Sequence, residues 1–401
     1  MMPATGAASL EDAYGVRNYD PLPVVITRGE GCWVEDADGN RYFDSLSAYS
    51  ALNFGHRHPR LIEAARRQLD RLTLTSRAFR NDRLGEFCAR LATACSMQRV
   101  LPMNTGAEAV ETAIKAARKW GYRVKGLTPG RAKIVVCNGN FHGRTTTIVS
   151  FSDDPAARTD FDPFTPGFVS VPFGDSAALE TALDGETAAF LFEPLQGEAG
   201  VIIPPDGYLR EARELCTRAN VLMVADEVQS GLGRTGRMLA CDHEGVAPDL
   251  VLLGKALGGG ILPVSAVVGS DEVLGLFRPG EHGSTFGGNP LACAVALEVL
   301  DLLADEPLSD NAIELGASFS DSLRAAAHPA VTEVRQRGLW IGVDIRAEAG
   351  TARSACEKLL AVGVLAKETH EQTIRFAPPL TTSADELDWL LERVNLVLAG
   401  L

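Results

Sequence analysis

Pro248-Asp249-Leu250-Val251-Leu252-Leu253-Gly254-Lys255-Ala256-Leu257-Gly258-Gly259-Gly260 is the stretch on which the reading of this chain turns. Its four consecutive apolar residues predict a short strand covered on both faces, as in a parallel sheet packed between helices. The strand delivers a single lysine, and small residues follow at once. Burying a lysine is costly unless its charge is lost or paired. A Schiff base to an aldehyde would remove the charge and make the amine useful. The plain alternative is a long stem that reaches solvent at a strand end.

Strands of the same kind are predicted at Lys133–Cys137, Phe168–Val171, Ala188–Phe192, Val221–Ala225 and Ser265–Val268, with helices between them such as Tyr208–Ala219. That alternation predicts an α/β fold with a mostly parallel sheet. After Asn289-Pro290 two long helices (Leu291–Ala304, Ala312–Ala327) lead to strands at Gly338–Ile345, Val364–Ala366 and Thr373–Phe376, then to a helix near Ala384–Leu398. Short strands also occupy 14–48, where Asp38-Gly39 marks a hairpin. The expected division is 1–48 as the N-terminal part of a smaller α+β domain, 49–288 as the large domain and 289–401 as the rest of the smaller one, since a domain's chain ends often meet.

The 401 residues, 46% hydrophobic, suffice for a large globular protein. A net charge of −14 argues against nucleic acid as a partner. The eight cysteines form no Cys-x-x-Cys, so neither a disulfide framework nor a thiolate zinc site is expected. No apolar run approaches a membrane span, and Met1–Leu10 lacks the marks of a signal or transit peptide, so the expected compartment is the cytoplasm. His56-x-His58 has no carboxylate pattern beside it and reads as structural; no metal is expected.

Three further segments bear on Lys255. Val221-Leu222-Met223-Val224-Ala225-Asp226-Glu227-Val228-Gln229 is a buried-type strand that ends in a carboxylate. Asp226 suits a partner for a protonated pyridine nitrogen, or a simple turn cap. Met103-Asn104-Thr105-Gly106-Ala107-Glu108 opens a helix whose free N–H groups suit a phosphate, although an ordinary Thr N-cap has the same pattern. Gly280-Glu281-His282-Gly283-Ser284-Thr285-Phe286-Gly287-Gly288-Asn289-Pro290 offers hydroxyls and open backbone N–H groups for an anion, or a flexible loop. Asp226 and Lys255 both follow strands, and open α/β sheets bind ligands beyond those carboxyl ends.

Together these segments resemble the class III pyridoxal-phosphate aminotransferases of fold type I, along residues 14 to 400. The resemblance implies a large domain with a mostly parallel seven-stranded sheet and a smaller α+β domain. It implies pyridoxal 5′-phosphate (PLP) as cofactor, Lys255 as its Schiff-base lysine, Asp226 as partner of the ring nitrogen and Gln229 as partner of the 3′-oxygen. Thr105, Gly106 and Ala107 resemble the phosphate cup, and Phe141 the aromatic stacked on the ring. Ser284 and Thr285 resemble the loop that approaches the phosphate, with Thr285 reaching it from the other subunit of a homodimer. Assembly beyond a dimer is left open. One departure is His142, where the animal enzymes of the family tend to carry tryptophan.

The nearest subfamily resembles the ornithine δ-aminotransferases, on Tyr14–Pro23, Leu46–Ala51, Leu72–Phe79, Glu193–Val201 and Ile374–Leu380. That resemblance implies L-ornithine and 2-oxoglutarate as substrates, within arginine and proline metabolism. Arg375 would grip the acceptor's α-carboxylate bidentately, Glu198 would mask Arg375 while ornithine is bound, and Arg144 would hold the far carboxylate. Tyr19 would meet the α-amino acid head group and Tyr49 would wall the pocket. Taken singly, the two tyrosines read as core residues and Arg375 and Glu198 as surface charges. Glu193 and Glu227 have no assigned role. Acetylornithine and 4-aminobutyrate aminotransferases share the cofactor residues and the Arg375-type arginine, and the resemblance makes Tyr19 the position that distinguishes the ornithine enzymes; a lysine aminotransferase, or a fold-type-I racemase or aminomutase, is a further alternative. A nucleotide-dependent dehydrogenase is disfavoured because no strand–Gly-x-Gly-x-x-Gly–helix unit occurs.

Overall fold

The computed structural model describes residues 4–401; Met1–Pro3, where the expected N-terminal segment starts, lie outside the described residues. A helix, Ala4–Tyr14, opens the described chain and was not expected.

Seven strands form the central sheet, in the order Arg99–Met103, Ser265–Gly269, Leu250–Leu253, Leu222–Asp226, Thr187–Phe192, Lys133–Cys137, Phe168–Val171. Only Ser265–Gly269 runs against its neighbours; the other contacts are parallel. The two-residue pleat explains the layering. Ile134, Val136, Ala189, Leu191, Leu222 and Val224 face the helix Gly106–Trp120. The alternate residues Val135, Cys137, Phe190, Phe192, Met223 and Ala225 face the helix Tyr208–Arg218. Both sides are dry, which is why these strands read as continuous apolar runs.

A second, four-stranded sheet joins the two ends of the chain. Strands Ile26–Glu30, Trp33–Asp36 and Arg41–Asp44 form a meander, and Val364-Leu365 adds to it in parallel, Val364 opposite Phe43. Trp33 stacks edge-on against Trp389 of the last helix and donates its indole N–H to Glu386 at 2.8 Å. A third sheet is antiparallel throughout, in the order Val331–Gln336, Ile341–Ile345, Thr373–Phe376, Lys367–Thr369.

Arg234 fastens these parts together. Its guanidinium is fully buried and donates to three neutral oxygens: Leu339 O at 2.9 Å, Pro378 O at 2.7 Å and Asn53 Oδ1 at 2.6 Å. His56, one of the paired histidines, bonds Asp44 at 2.8 Å.

Candidate active site

Asp226 is the last residue of its strand, and Lys255 follows the neighbouring strand by one glycine. Parallel pairing therefore puts both at one edge of the sheet. An inner pocket of about 180 Å³ lies there, lined by Gly106, Ala107, Phe141, Asp226, Gln229 and Lys255. An outer cleft of about 460 Å³ shares Phe141, His142 and Gly143 with it, and adds Arg144 and Glu198.

Lys255 is held at φ +45°, a left-handed conformation that non-glycine residues rarely adopt without a functional reason. Among the described residues its amine has no hydrogen-bond partner. Burial pushes that amine below its ordinary value; Glu198 and Asp226 pull it back only in part, and Arg375 adds to the lowering. A neutral amine is the nucleophilic form.

Asp226 is buried and spends both oxygens: Oδ1 accepts from Val228 N at 3.1 Å, and Oδ2 faces His142 Nδ1 at 2.6 Å. Burial alone would lower the His142 imidazole, yet the bond to Asp226 and its charge prevail and hold it above its ordinary value. Glu193 accepts from Phe141 N at 2.9 Å, which fixes the main chain of the expected stacking residue. Burial drives the Glu193 carboxyl up to about 8, with His142 opposing and Asp226 adding to the rise. Glu227 turns away from the pocket, to Ser230 Oγ at 2.5 Å and Cys241 N at 2.9 Å.

The helix Gly106–Trp120 starts at the pocket. Thr105 caps it, accepting from Glu108 N at 3.2 Å, while the Glu108 carboxylate returns to Thr105 N at 2.9 Å. Gly106 and Ala107 then present their N–H groups from the first turn. Gly143 closes over this turn at φ +124°; a Cβ there would sit 2.9 Å from Ala107 Cβ, so a larger residue would push the two apart.

Toward the third sheet, Arg375 is buried and its Nη1 lies 2.7 Å from Glu198 Oε1. Burial would raise the Glu198 carboxyl, but Arg375 outweighs it, aided by Lys255 and Arg144, and the group is held below the usual carboxylate range. Tyr49 stacks beneath the guanidinium, 5.2 Å away, from a left-handed turn, Ser47–Ser50, in which four successive residues have positive φ. Arg144 lies 5.7 Å from the centre of the Phe141 ring.

Of the expected site residues, Tyr19, Tyr49, Thr105, Ser284, Thr285 and Arg375 line neither pocket. Tyr19 is 74% exposed, although close enough to Tyr49 for the two hydroxyls to interact electrostatically. Ser284 accepts from Asn104 Nδ2 at 2.8 Å and Gly287 N at 2.9 Å, which sets its loop beside the start of the helix. Thr285 is exposed. His282 moors the same loop to the helix, 2.7 Å from Thr112 Oγ1.

The class-III aminotransferase model matches residues 14–398. The chain belongs to the class-III aminotransferase family. Ornithine aminotransferase of Geobacillus sp. (strain WCH70) is 55% identical to this aminotransferase over 100% of both chains. A solved structure of the Toxoplasma gondii ornithine aminotransferase, with PLP in partial occupancy at its active site, superimposes with a TM-score of 0.98 at 47% identity, over 99% of this chain and 94% of that one. The acetylornithine aminotransferase of Elizabethkingia anophelis gives a TM-score of 0.91 at 44% identity, over the full length of both.

The family's cofactor is PLP, and the pocket of this aminotransferase fits it on its own chemistry. An unpaired, depressed amine faces a buried carboxylate across a small cavity, with a helix N-terminus at one side. PLP supplies an aldehyde that condenses with amines and a ring that accepts the electrons of a breaking C–H bond. Three features had no foreshadowing in the sequence. The 2.6 Å contact between His142 and Asp226 joins residues 84 positions apart. The elevated carboxyl of Glu193 comes from burial that no local pattern reveals. Thr369, beside Glu198, belongs to no motif.

Proposed function

We propose that this aminotransferase moves the δ-amino group of L-ornithine to 2-oxoglutarate. The products are glutamate and glutamate 5-semialdehyde, which cyclises to pyrroline-5-carboxylate. The observation that carries this reading is the Arg375–Glu198 pair beside Lys255. The two substrates make opposite demands on one site. 2-Oxoglutarate brings a carboxylate next to the reacting carbon, whereas ornithine brings only methylenes there. A cation covered by a movable carboxylate serves both: Glu198 neutralises Arg375 under ornithine and yields it to the acceptor, which is gripped through two parallel hydrogen bonds.

In this reading Lys255 anchors the cofactor, Asp226 keeps the ring nitrogen protonated and Gln229 meets the 3′-oxygen. Phe141 covers one ring face, while Thr105, Gly106 and Ala107 take the phosphate. Lys255 Nζ then removes a proton from ornithine Cδ, and in the second half-reaction delivers one to the Cα of glutamate. Arg144 holds the far carboxylate of either substrate, with Tyr19 and Tyr49 around the ornithine head group. Residues 49–288 form the unit that holds the cofactor, and the terminal segments form the unit that carries Arg375.

We read the enzyme as a homodimer in which Ser284 and Thr285 approach the cofactor, Thr285 from the neighbouring subunit. Thr285 and the neighbouring Phe286 are both exposed, as a loop that meets another subunit requires. All eight cysteines are free, which suits the reducing cytoplasm. Among the described residues no helix is long and apolar enough to cross a membrane.

The 44% identity to an acetylornithine aminotransferase supports that second substrate as the competing reading. A coupled assay of ornithine plus 2-oxoglutarate for pyrroline-5-carboxylate, with acetylornithine and 4-aminobutyrate alongside, separates them. Ornithine should give the highest kcat/KM; a higher value for acetylornithine overturns the assignment.

A further inference from the structure

Glu198 sits in the segment Gly197–Val201, where two glycines and an alanine give the main chain little stiffness of its own. Its conformation is imposed from outside. Gly197 packs so closely that a Cβ there would lie 2.4 Å from the Trp340 ring. Gly200 O accepts from Arg335 Nε at 3.0 Å and Nη2 at 2.9 Å, and Gly197 O from Arg375 Nη1 at 3.4 Å. At Glu198 itself, the carbonyl oxygen accepts from the hydroxyl of Thr369.

Thr369 ends the strand Lys367–Thr369, whose pairing partner is the strand of Arg375: Lys367 lies opposite Arg375 and Thr369 opposite Thr373. One hairpin therefore carries both contacts to Glu198, a cation for its carboxylate and a hydroxyl for its main chain. The next residue, His370, turns at φ +52°, and both Thr369 and His370 line the outer cleft with Arg144.

We infer that Thr369 is a positioning residue for regiospecificity, which holds the Glu198 main chain so that its carboxylate alone swings and covers Arg375 whenever ornithine is bound. The inference rests on the ornithine reading above. If Glu198 drifts, Arg375 is left bare and takes ornithine's α-carboxylate. The diamine then lies reversed, and its α-amine reaches Lys255. Transfer of that amine to 2-oxoglutarate gives glutamate and 5-amino-2-oxopentanoate, whose free δ-amine condenses with its own ketone, losing water, to form pyrroline-2-carboxylate. The correct reaction gives pyrroline-5-carboxylate, so the two binding modes leave distinguishable products.

The test uses holoenzyme with ornithine and 2-oxoglutarate and measures both cyclic imines by mass spectrometry or NMR. Thr369→Val should raise the pyrroline-2-carboxylate share roughly tenfold, the order expected when one hydrogen bond is lost. Thr369→Ser, which keeps the hydroxyl, should restore the wild-type ratio. An unchanged ratio in Thr369→Val, at full or reduced activity, overturns the inference, and so does a shift that the serine variant shares. A wild-type enzyme that makes neither imine overturns the ornithine reading and this inference with it.

Discussion

His142 Nδ1 stands 2.6 Å from Asp226 Oδ2, and both groups lie close enough to Glu193 to act on its protonation. Burial lifts the Glu193 carboxyl to about 8; the imidazole of His142 opposes that rise and the charge of Asp226 adds to it. Asp226 has the imidazole and a backbone N–H; Glu193 has only the Phe141 N–H and retains its proton.

A pH signature follows from Glu193. In the folded protein its proton stays on until about pH 8, whereas the ordinary value is 4.5. Between those values the folded state binds more protons than the unfolded chain, so stability falls as pH rises. His142, held above its ordinary value, adds a fall of the same sign: its contribution is present below about 6.5 and is lost as pH rises through its folded value. Glu193→Gln removes the carboxyl's share. Its melting temperature should gain on wild type as pH goes from 5 to 8, measured on holoenzyme. A constant gap across that range would contradict a buried, protonated Glu193.

Lys255→Ala should lose the absorbance band of the covalent lysine–cofactor linkage and lower kcat by at least about 10³-fold, within the range for loss of a positioned acid–base group. Full multiple-turnover activity in that variant would remove Lys255 from the chemistry.

Arg375→Ala should act on one substrate more than the other. Losing a charged hydrogen-bond donor should raise KM for 2-oxoglutarate roughly 10- to 100-fold. The ornithine half-reaction, followed in single turnover, should change far less, since Glu198 neutralises the cation at that stage. Equal losses in both half-reactions would mean that Arg375 is not acceptor-specific.

Tyr19→Ile tests the exposed tyrosine. Loss of one polar contact should lower kcat/KM for ornithine about tenfold and leave simple ω-amines unaffected or favoured. Unchanged ornithine preference would take Tyr19 out of the specificity argument.

Much of this was legible in the sequence because it is written locally. The central strands announce themselves by apolar residues on both pleat faces, and five of the six expected ones begin or end where the pattern predicts. Arg99–Met103 escaped notice because Pro102 interrupts its run; proline is tolerated there because the strand lies at the edge of the sheet. Val331–Gln336 escaped for a related reason, since an edge strand of mixed polarity lacks a clear alternation. In the site, Lys255 and Asp226 stood out because charged residues end apolar strands. The ties of His142 to Asp226 and of Thr369 to Glu198 did not, because each spans a long stretch of chain and depends on packing.

Arg234 has one more consequence. A buried guanidinium held by three neutral oxygens from Asn53, Leu339 and Pro378 forms no ion pair among the described residues and depends on those three bonds. Prising those segments apart would forfeit three bonds from a charged donor, each worth roughly 1.5–3 kcal/mol. A hinge that opens and shuts with every turnover is therefore expensive at this seam. Traffic through the site falls instead to single side chains, and an enzyme built this way should keep nearly the same outline whether it holds the diamine, the keto acid or neither.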